Sequence, residues 1–124
     1  FPIHPRTQKN LEAFGLDDVL NHPKLKKTGP LDYFAFQHLI SAAKTVITDS
    51  GGIQEETTFR QVPCITLRPN TERPSTTTLG TNQMLTTLDA EAVMEAIRSP
   101  KEGVVPPHWD GHATERIVNV LQSL

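Results

Sequence analysis

The sequence predicts an α/β domain, a mostly parallel sheet with helices on both faces. Three observations lead there. Short apolar or β-branched runs alternate along the chain with amphipathic, helix-patterned stretches, the succession that builds parallel sheets covered by helices. No internal repeat or low-complexity tract interrupts it. Three polar segments (residues 4–6, 49–56 and 68–78) each follow a strand-like run, and sheets of this class take ligands beyond the C-terminal ends of their strands. A length of 124 residues suits one domain, and 36% hydrophobic against 21% charged residues supports a core of modest size.

Taken in order, residues 1–3 alternate like the end of a buried strand. A strand at residue 1, with no Met before it, predicts a chain cut from a longer protein. Residues 6–14 read as a helix, with Gly15 placed to end it. Residues 25–28 are a second strand candidate, diluted by lysines. Residues 31–44, LDYFAFQHLISAAK, read as a helix. Asp32 is its N-cap, and Phe36, Leu39, Ile40 and Ala43 recur at helical spacing. TVIT (45–48) is short and β-branched, and predicts a buried strand. A helix from 53 to 60 follows the Ser-Gly-Gly turn, then a strand over 62–67. Residues 68–82 form a long polar loop with two prolines, a length that often marks function in a compact domain. A small strand is expected over 83–87. Residues 89–99 are a clear helix, capped by Asp89, with Leu88, Val93 and Ile97 pointing inward. After a connector, residues 114–124 close the chain as a helix whose apolar side is Ile117, Val118, Val120, Leu121 and Leu124.

Composition excludes several function classes. A formal charge of -2 gives no basic field to draw in nucleic acid. Lys24, Lys26 and Lys27 cluster only as a solvated surface does. Cys64 has no second cysteine to pair with, which fits a reducing cytoplasm. No apolar run is long enough to cross a bilayer and no signal peptide is visible, so no membrane partner is expected. His108 and His112 stand four apart, but Gly111 and the preceding prolines argue against a shared helix face, so no metal site is expected there. Cys64 reads as core, and Met84, Met94 and the aromatic residues as packing. No GxSxG, Walker A or paired-cysteine motif occurs.

The stretch TDSGGIQEETTF, residues 48–59, carries the most chemistry. Gly51 and Gly52 let backbone N–H groups approach a ligand closely. The helix start presents free N–H donors and a partial positive charge. Ser50, Gly51 and Gly52 so placed suit a phosphate or diphosphate. A turn that needs glycine only for its backbone angles would read the same way. Glu56 lies four residues beyond Gly52, on the same helix face one turn in. There it would repel phosphate but could accept two hydrogen bonds from a vicinal diol such as a ribose. The helix dipole alone would also account for an early glutamate, and suits Glu55 better. His4, at the C-terminal end of the first strand run, could face a phosphate as imidazolium or move a proton, or be an ordinary polar loop residue. Arg73 could clamp a diphosphate bidentately, with Glu72 beside it as its orienting partner or merely solvated. Arg68 and Arg6 are rivals for that role.

The string TDSGGIQEE, followed by TERPSTTTLGTN and WDGHATERI and preceded by HPRT and PLDYFAF, resembles the non-hydrolysing UDP-N-acetylglucosamine 2-epimerase family. The resemblance runs over essentially the whole chain. It implies a Rossmann-like sheet, as in the C-terminal, UDP-binding domain of the glycosyltransferase-B fold. The family's N-terminal domain is absent and is the partner such a chain lacks, along with an early HRxEN segment. The implied reaction interconverts UDP-GlcNAc and UDP-ManNAc by UDP elimination and re-addition, with no cofactor. The proton-transfer carboxylates at C2 belong to the N-terminal domain, so the isolated chain is expected to be inactive. By residue, His4 matches a catalytically important histidine near the diphosphate, and Ser50, Gly51 and Gly52 match the diphosphate turn. Glu56 matches the ribose ligand, Arg73 the arginine of the TERP segment, and Phe36 an aromatic near the uracil, where main-chain contacts read the base. Leu31 stands where some members have Gln. Family members are commonly dimers, so a homodimer is an open partner. The competing readings are the donor domain of a glycosyltransferase of the same architecture, a hydrolysing epimerase, and a nucleotide-binding module without catalysis.

Overall fold

The computed structural model describes residues 1–124, which form two compact units, Phe1–Leu39 and Ile40–Leu124. In the first unit the two expected strands reduce to one parallel bridge, Pro2 with Thr28. Ile3 N donates to Thr28 O (2.9 Å) and Thr28 N to Phe1 O (3.1 Å). The lysines beside Thr28 give no apolar face to extend the pairing, and Pro2 has no N–H to offer a ladder. Helix α1 (Pro5–Ala13) starts with Pro5 in the first turn and His4 as its N-cap, and Gly15 follows its end at φ +64°, the left-handed geometry glycine tolerates best. A 3₁₀ turn, Asp17–Leu20, comes next and was not expected. Helix α2 (Tyr33–Ser41) begins as expected, with Asp32 Oδ1 accepting from Ala35 N at 2.9 Å. It stops short of residue 44, and its last residues open the second unit.

The second unit holds the sheet. Strands β1 (Val46–Thr48), β2 (Cys64–Thr66) and β3 (Asn82–Met84) pair in parallel in the order β1-β2-β3, with Val46 opposite Cys64 and Cys64 opposite Asn82. The α/β class with a parallel sheet is therefore as the sequence predicts. Position in the sheet decides burial. The central strand β2 is buried at every residue, whereas Ile47 on β1 is exposed, so the expectation of a buried strand at 45–48 fails at an edge. Helix α3 (Gly51–Arg60) packs on β1, β2 and β3, and ends at Gln61 in the left-handed region.

The loop expected over 68–82 is not one. It contains helix α4 (Pro74–Thr78) and runs into β3. Pro74 occupies the first helical turn, where its missing N–H costs nothing, and Thr76 Oγ1 bonds back to Arg73 O at 2.7 Å. Prolines that look like loop signals are here a helix start. Gly80 and Gly103 let the following segments touch. A Cβ on Gly103 would overlap the Gly80 backbone and lie 2.7 Å from Thr81 N, while Val104 N donates to Leu79 O at 2.8 Å.

Helix α5 (Ala90–Arg98) is capped by Asp89, whose Oδ2 accepts from Ala92 N. Leu88, expected inward, is 80% exposed because it precedes the helix rather than lying on its face. Helix α6 (Ala113–Gln122) follows a turn organised by the WDG string: Arg116 grips Asp110 with both nitrogens (3.0 and 2.9 Å) and also bonds His108 O. That grip holds the Asp110 carboxyl well below the usual carboxylate range. The apolar side of α6 is exposed along its length.

The core of the second unit is largely polar. Beside Cys64, Ile65 and Val62 lie Gln54, Thr57, Thr58, Thr66, Thr76, Thr81 and Asn82, all buried. Helix α3 has little apolar surface to give, since only Ile53 and Phe59 break its polar run. Threonine hydroxyls are spent on backbone carbonyls, within the helix for Thr57 on Ile53 O (2.8 Å) and across 19 residues for Thr81 on Val62 O (2.7 Å), so they are buried with their hydrogen bonds made. Burial pushes the Cys64 thiol up, so it stays protonated and serves as core.

Candidate functional site

Two chain segments emerge at the C-terminal edge of adjacent parallel strands, one after β1 and one after β2. They are tied at once: Leu67 N donates to Thr48 O at 3.0 Å, and Arg68 Nη1 reaches Asp49 O at 3.4 Å. The first segment is Asp49-Ser50 and the start of α3. Ser50 is the N-cap residue (φ -86°, ψ 128°) but makes no side-chain capping bond, and its own N–H is held by Thr48 Oγ1 at 3.0 Å. Helix α3 thus starts two residues before the expected position, and Gly51 and Gly52 form its first turn. Neither has positive φ. A Cβ on Gly51 would come to 3.9 Å from Arg73 Cγ, and one on Gly52 to 4.0 Å from Ser50 Oγ, both ordinary contacts. Backbone angles and protein packing therefore do not demand glycine at either place.

The second segment brings Arg73. Its side chain lies over Gly51, and its Nε is 3.1 Å from Glu55 Oε2, with both side chains about half-buried at 42% and 41% exposure. The contact is an ion pair outside hydrogen-bond geometry, so the Nε–H keeps its bond unspent. Glu55, rather than the exposed neighbour Glu72, holds the guanidinium. Glu55 also lies beyond the first turn of α3, where the dipole argument for it has faded. A cation beside an uncapped helix start is an arrangement whose chemistry suits an anion.

The other predicted residues fall as follows. Glu56 sits on α3, partly buried. Arg68 is spent on the Asp49 carbonyl, and Arg6 stands on exposed α1. His4 belongs to the first unit, where its Nδ1 accepts from Arg6 N at 3.2 Å as the α1 cap. That bond leaves Nε2 as the nitrogen free to exchange a proton. Phe36 lies on α2, also in the first unit. His112 pairs with Glu115 at 3.1 Å, and His108 is in the left-handed region. Glu55, read from the sequence only as a helix-dipole residue, is the partner of Arg73. Residues the sequence did not single out are the buried Gln54, Thr66, Thr76 and Asn82 and the partly buried Thr71, a hydrogen-bonded set that reaches the backbone of Arg73. The available signal was α3 itself, a helix that must face the sheet but has no apolar stripe to do it with.

The fold defines an α/β unit with a parallel sheet, in which the segments after β1 and β2 meet at the C-terminal strand ends. The family model for UDP-N-acetylglucosamine 2-epimerase matches residues 1–122, and the chain belongs to that family. It is 42% identical over 125 residues to the UDP-N-acetylglucosamine 2-epimerase of Methanocaldococcus jannaschii, covering 98% of this chain and 34% of that protein. The enzyme of the same name from Methanococcus maripaludis is 41% identical over 127 residues, covering 98% of this chain and 34% of its own length. The crystal structure of the M. jannaschii enzyme in complex with UDP-GlcNAc and UDP superposes with a TM-score of 0.81 at 40% identity, over 100% of this chain and 35% of that one. The chain thus spans about a third of the length of the relatives it matches.

Proposed function

We propose that this chain is the C-terminal, UDP-binding domain of a UDP-GlcNAc 2-epimerase, acting in the cytoplasm. The observation that carries the reading is Arg73 lying over Gly51 at an uncapped helix start. In this reading the diphosphate binds the N–H groups of Gly51 and Gly52, the Ser50 hydroxyl and the Arg73 guanidinium. Glu56 accepts from the ribose hydroxyls one turn deeper. Phe36 lies by the uracil, which main-chain groups read. His4, whose Nδ1 accepts from Arg6 N, is assigned to the diphosphate by the family resemblance alone. Their shared task is to stabilise UDP as it leaves.

The reaction runs by elimination and re-addition. The C2 proton goes to a base, the C1–O bond breaks, and UDP departs with the electron pair. A proton then returns to the opposite face of C2 while the UDP oxygen re-forms the bond to C1. The acid and base for C2 are assigned to the N-terminal part of the longer family members, outside these 124 residues. The relative crystallised in complex with UDP-GlcNAc and UDP supports the reading of UDP as the ligand.

The test is product analysis with the full-length protein. UDP-GlcNAc should give UDP-ManNAc without any acceptor. Free ManNAc plus UDP would mark a hydrolysing epimerase instead, and a requirement for an acceptor would mark a glycosyltransferase.

A further inference from the structure

Behind Arg73 lies a set of buried amides and hydroxyls that the proposed chemistry does not touch. Gln54, Thr66 and Thr76 are fully buried, and Asn82 is 1% exposed. Asn82 is satisfied at every polar atom. Its Oδ1 accepts from Thr66 Oγ1 at 2.7 Å, and its Nδ2 donates to Gln54 Oε1 at 3.3 Å and to Thr76 Oγ1 at 3.1 Å. From this amide pair two arms run to a single residue. Through one, Thr71 Oγ1 donates to Gln54 Oε1 (2.6 Å) and accepts from Arg73 N (3.0 Å). Through the other, Thr76 Oγ1 accepts from Asn82 and donates to Arg73 O (2.7 Å). Both peptide groups of Arg73 are therefore gripped by hydroxyls anchored on the Asn82–Gln54 pair.

Each hydroxyl has one hydrogen, so the direction of the bonds is set at every link. An apolar core of the same shape would pack this unit with less risk, since a buried amide missing one partner is costly. What the polar version supplies is a defined position. Gln54 sits on α3, three residues after Gly51, Asn82 on β3 and Thr66 on β2. The network thus locks the Arg73 backbone to the same helix whose first turn its side chain covers. We propose that Gln54 and Asn82 are positioning residues for Arg73. Their hydrogen bonds set the distance between its guanidinium and the α3 start, and hence diphosphate affinity. The proposal rests on the reading of Arg73 as a diphosphate ligand.

The test uses the full-length protein with Asn82→Leu, Thr71→Val and Thr71→Ser. Thr71 is only partly buried, so its variants remain informative if Asn82→Leu fails to fold. The first measurement needs no ligand. The Arg73 Nε–H resonance should be shifted from the free-arginine position and slow to exchange in the wild type and Thr71→Ser. It should collapse to the free position in Asn82→Leu and Thr71→Val. An unchanged resonance in both overturns the proposal whether or not UDP binds. The second measurement compares UDP with uridine by calorimetry. UDP affinity should fall about tenfold, the order of one lost charge-assisted hydrogen bond, with uridine affinity unchanged and with recovery in Thr71→Ser. In an Arg73→Met background the same substitutions should cost UDP nothing further. Equal losses for UDP and uridine, or a full extra loss in that background, would mean a merely structural network. A wild-type protein that binds no UDP would instead defeat the functional reading, while the Arg73 resonance still decides the positioning.

Discussion

Glycine is placed twice at the start of α3 for no reason internal to the chain. Gly51 and Gly52 have ordinary helical backbones and room for a Cβ, so the explanation by backbone angles alone does not hold. Gly52→Ala should leave the melting temperature unchanged or raised, by the order of about 0.5 kcal/mol of stability from reduced unfolded-state freedom. UDP affinity should meanwhile drop at least about tenfold as the Cβ keeps the ligand from the helix N–H groups. A lower melting point with normal UDP binding would reverse that assignment. The two glutamates separate in a similar way. Glu56→Ala should weaken UDP binding more than Glu55→Ala, because Glu56 is assigned to the ribose and Glu55 only tethers Arg73 through a half-exposed pair, which is a weak class of contact. Calorimetry on the two variants decides, and equal losses would count against the geometry.

At the scale of elements, local signals were legible and long-range ones were not. Asp32, Asp89 and Gly15 mark helix ends by bonds to residues three away, and each does what its sequence position predicts. The TERPSTTT segment misled because prolines and threonines favour loops in isolation. Its helix α4 stands on threonine hydroxyls bonding back to Arg73 and Pro74 carbonyls, and on Asn82 from another strand. The crossing of Gly80 and Gly103 was equally invisible, since nothing near either residue in sequence reports the other. Gly103→Ala should destabilise the second unit by about 1–3 kcal/mol, the usual cost of overpacking, because its Cβ meets backbone that cannot rotate away. Thermal unfolding checks this, and a melting point equal to wild type would show the contact to be slack.

At the scale of the whole molecule, the chain spans about a third of its relatives' length, and α6 leaves an apolar side exposed. Ile117, Val120 and Leu121 on α6 are 59%, 60% and 63% exposed. The pattern of α6 predicts an apolar side, but a pattern states only that a face is apolar. The purified 124-residue chain should show no conversion of UDP-GlcNAc, because the groups assigned to the C2 proton lie outside it. Turnover by the isolated chain, measured by product separation, would place that chemistry within these residues.

By itself the sequence determined the α/β class, most of the helices and the string of motif residues that marks the family. These depend on periodicity, on caps acting over a turn, and on residue types that survive as text. Only the tertiary structure decided that β1 is an edge strand, that Glu55 and not Glu72 meets Arg73, and that the core around β2 and β3 is made of threonines and amides. The reason is physical. A helix cap closes within a few bonds of chain, whereas a buried hydrogen bond such as Asn82 to Gln54, 28 residues apart, exists only once three strands and a helix have brought its partners together.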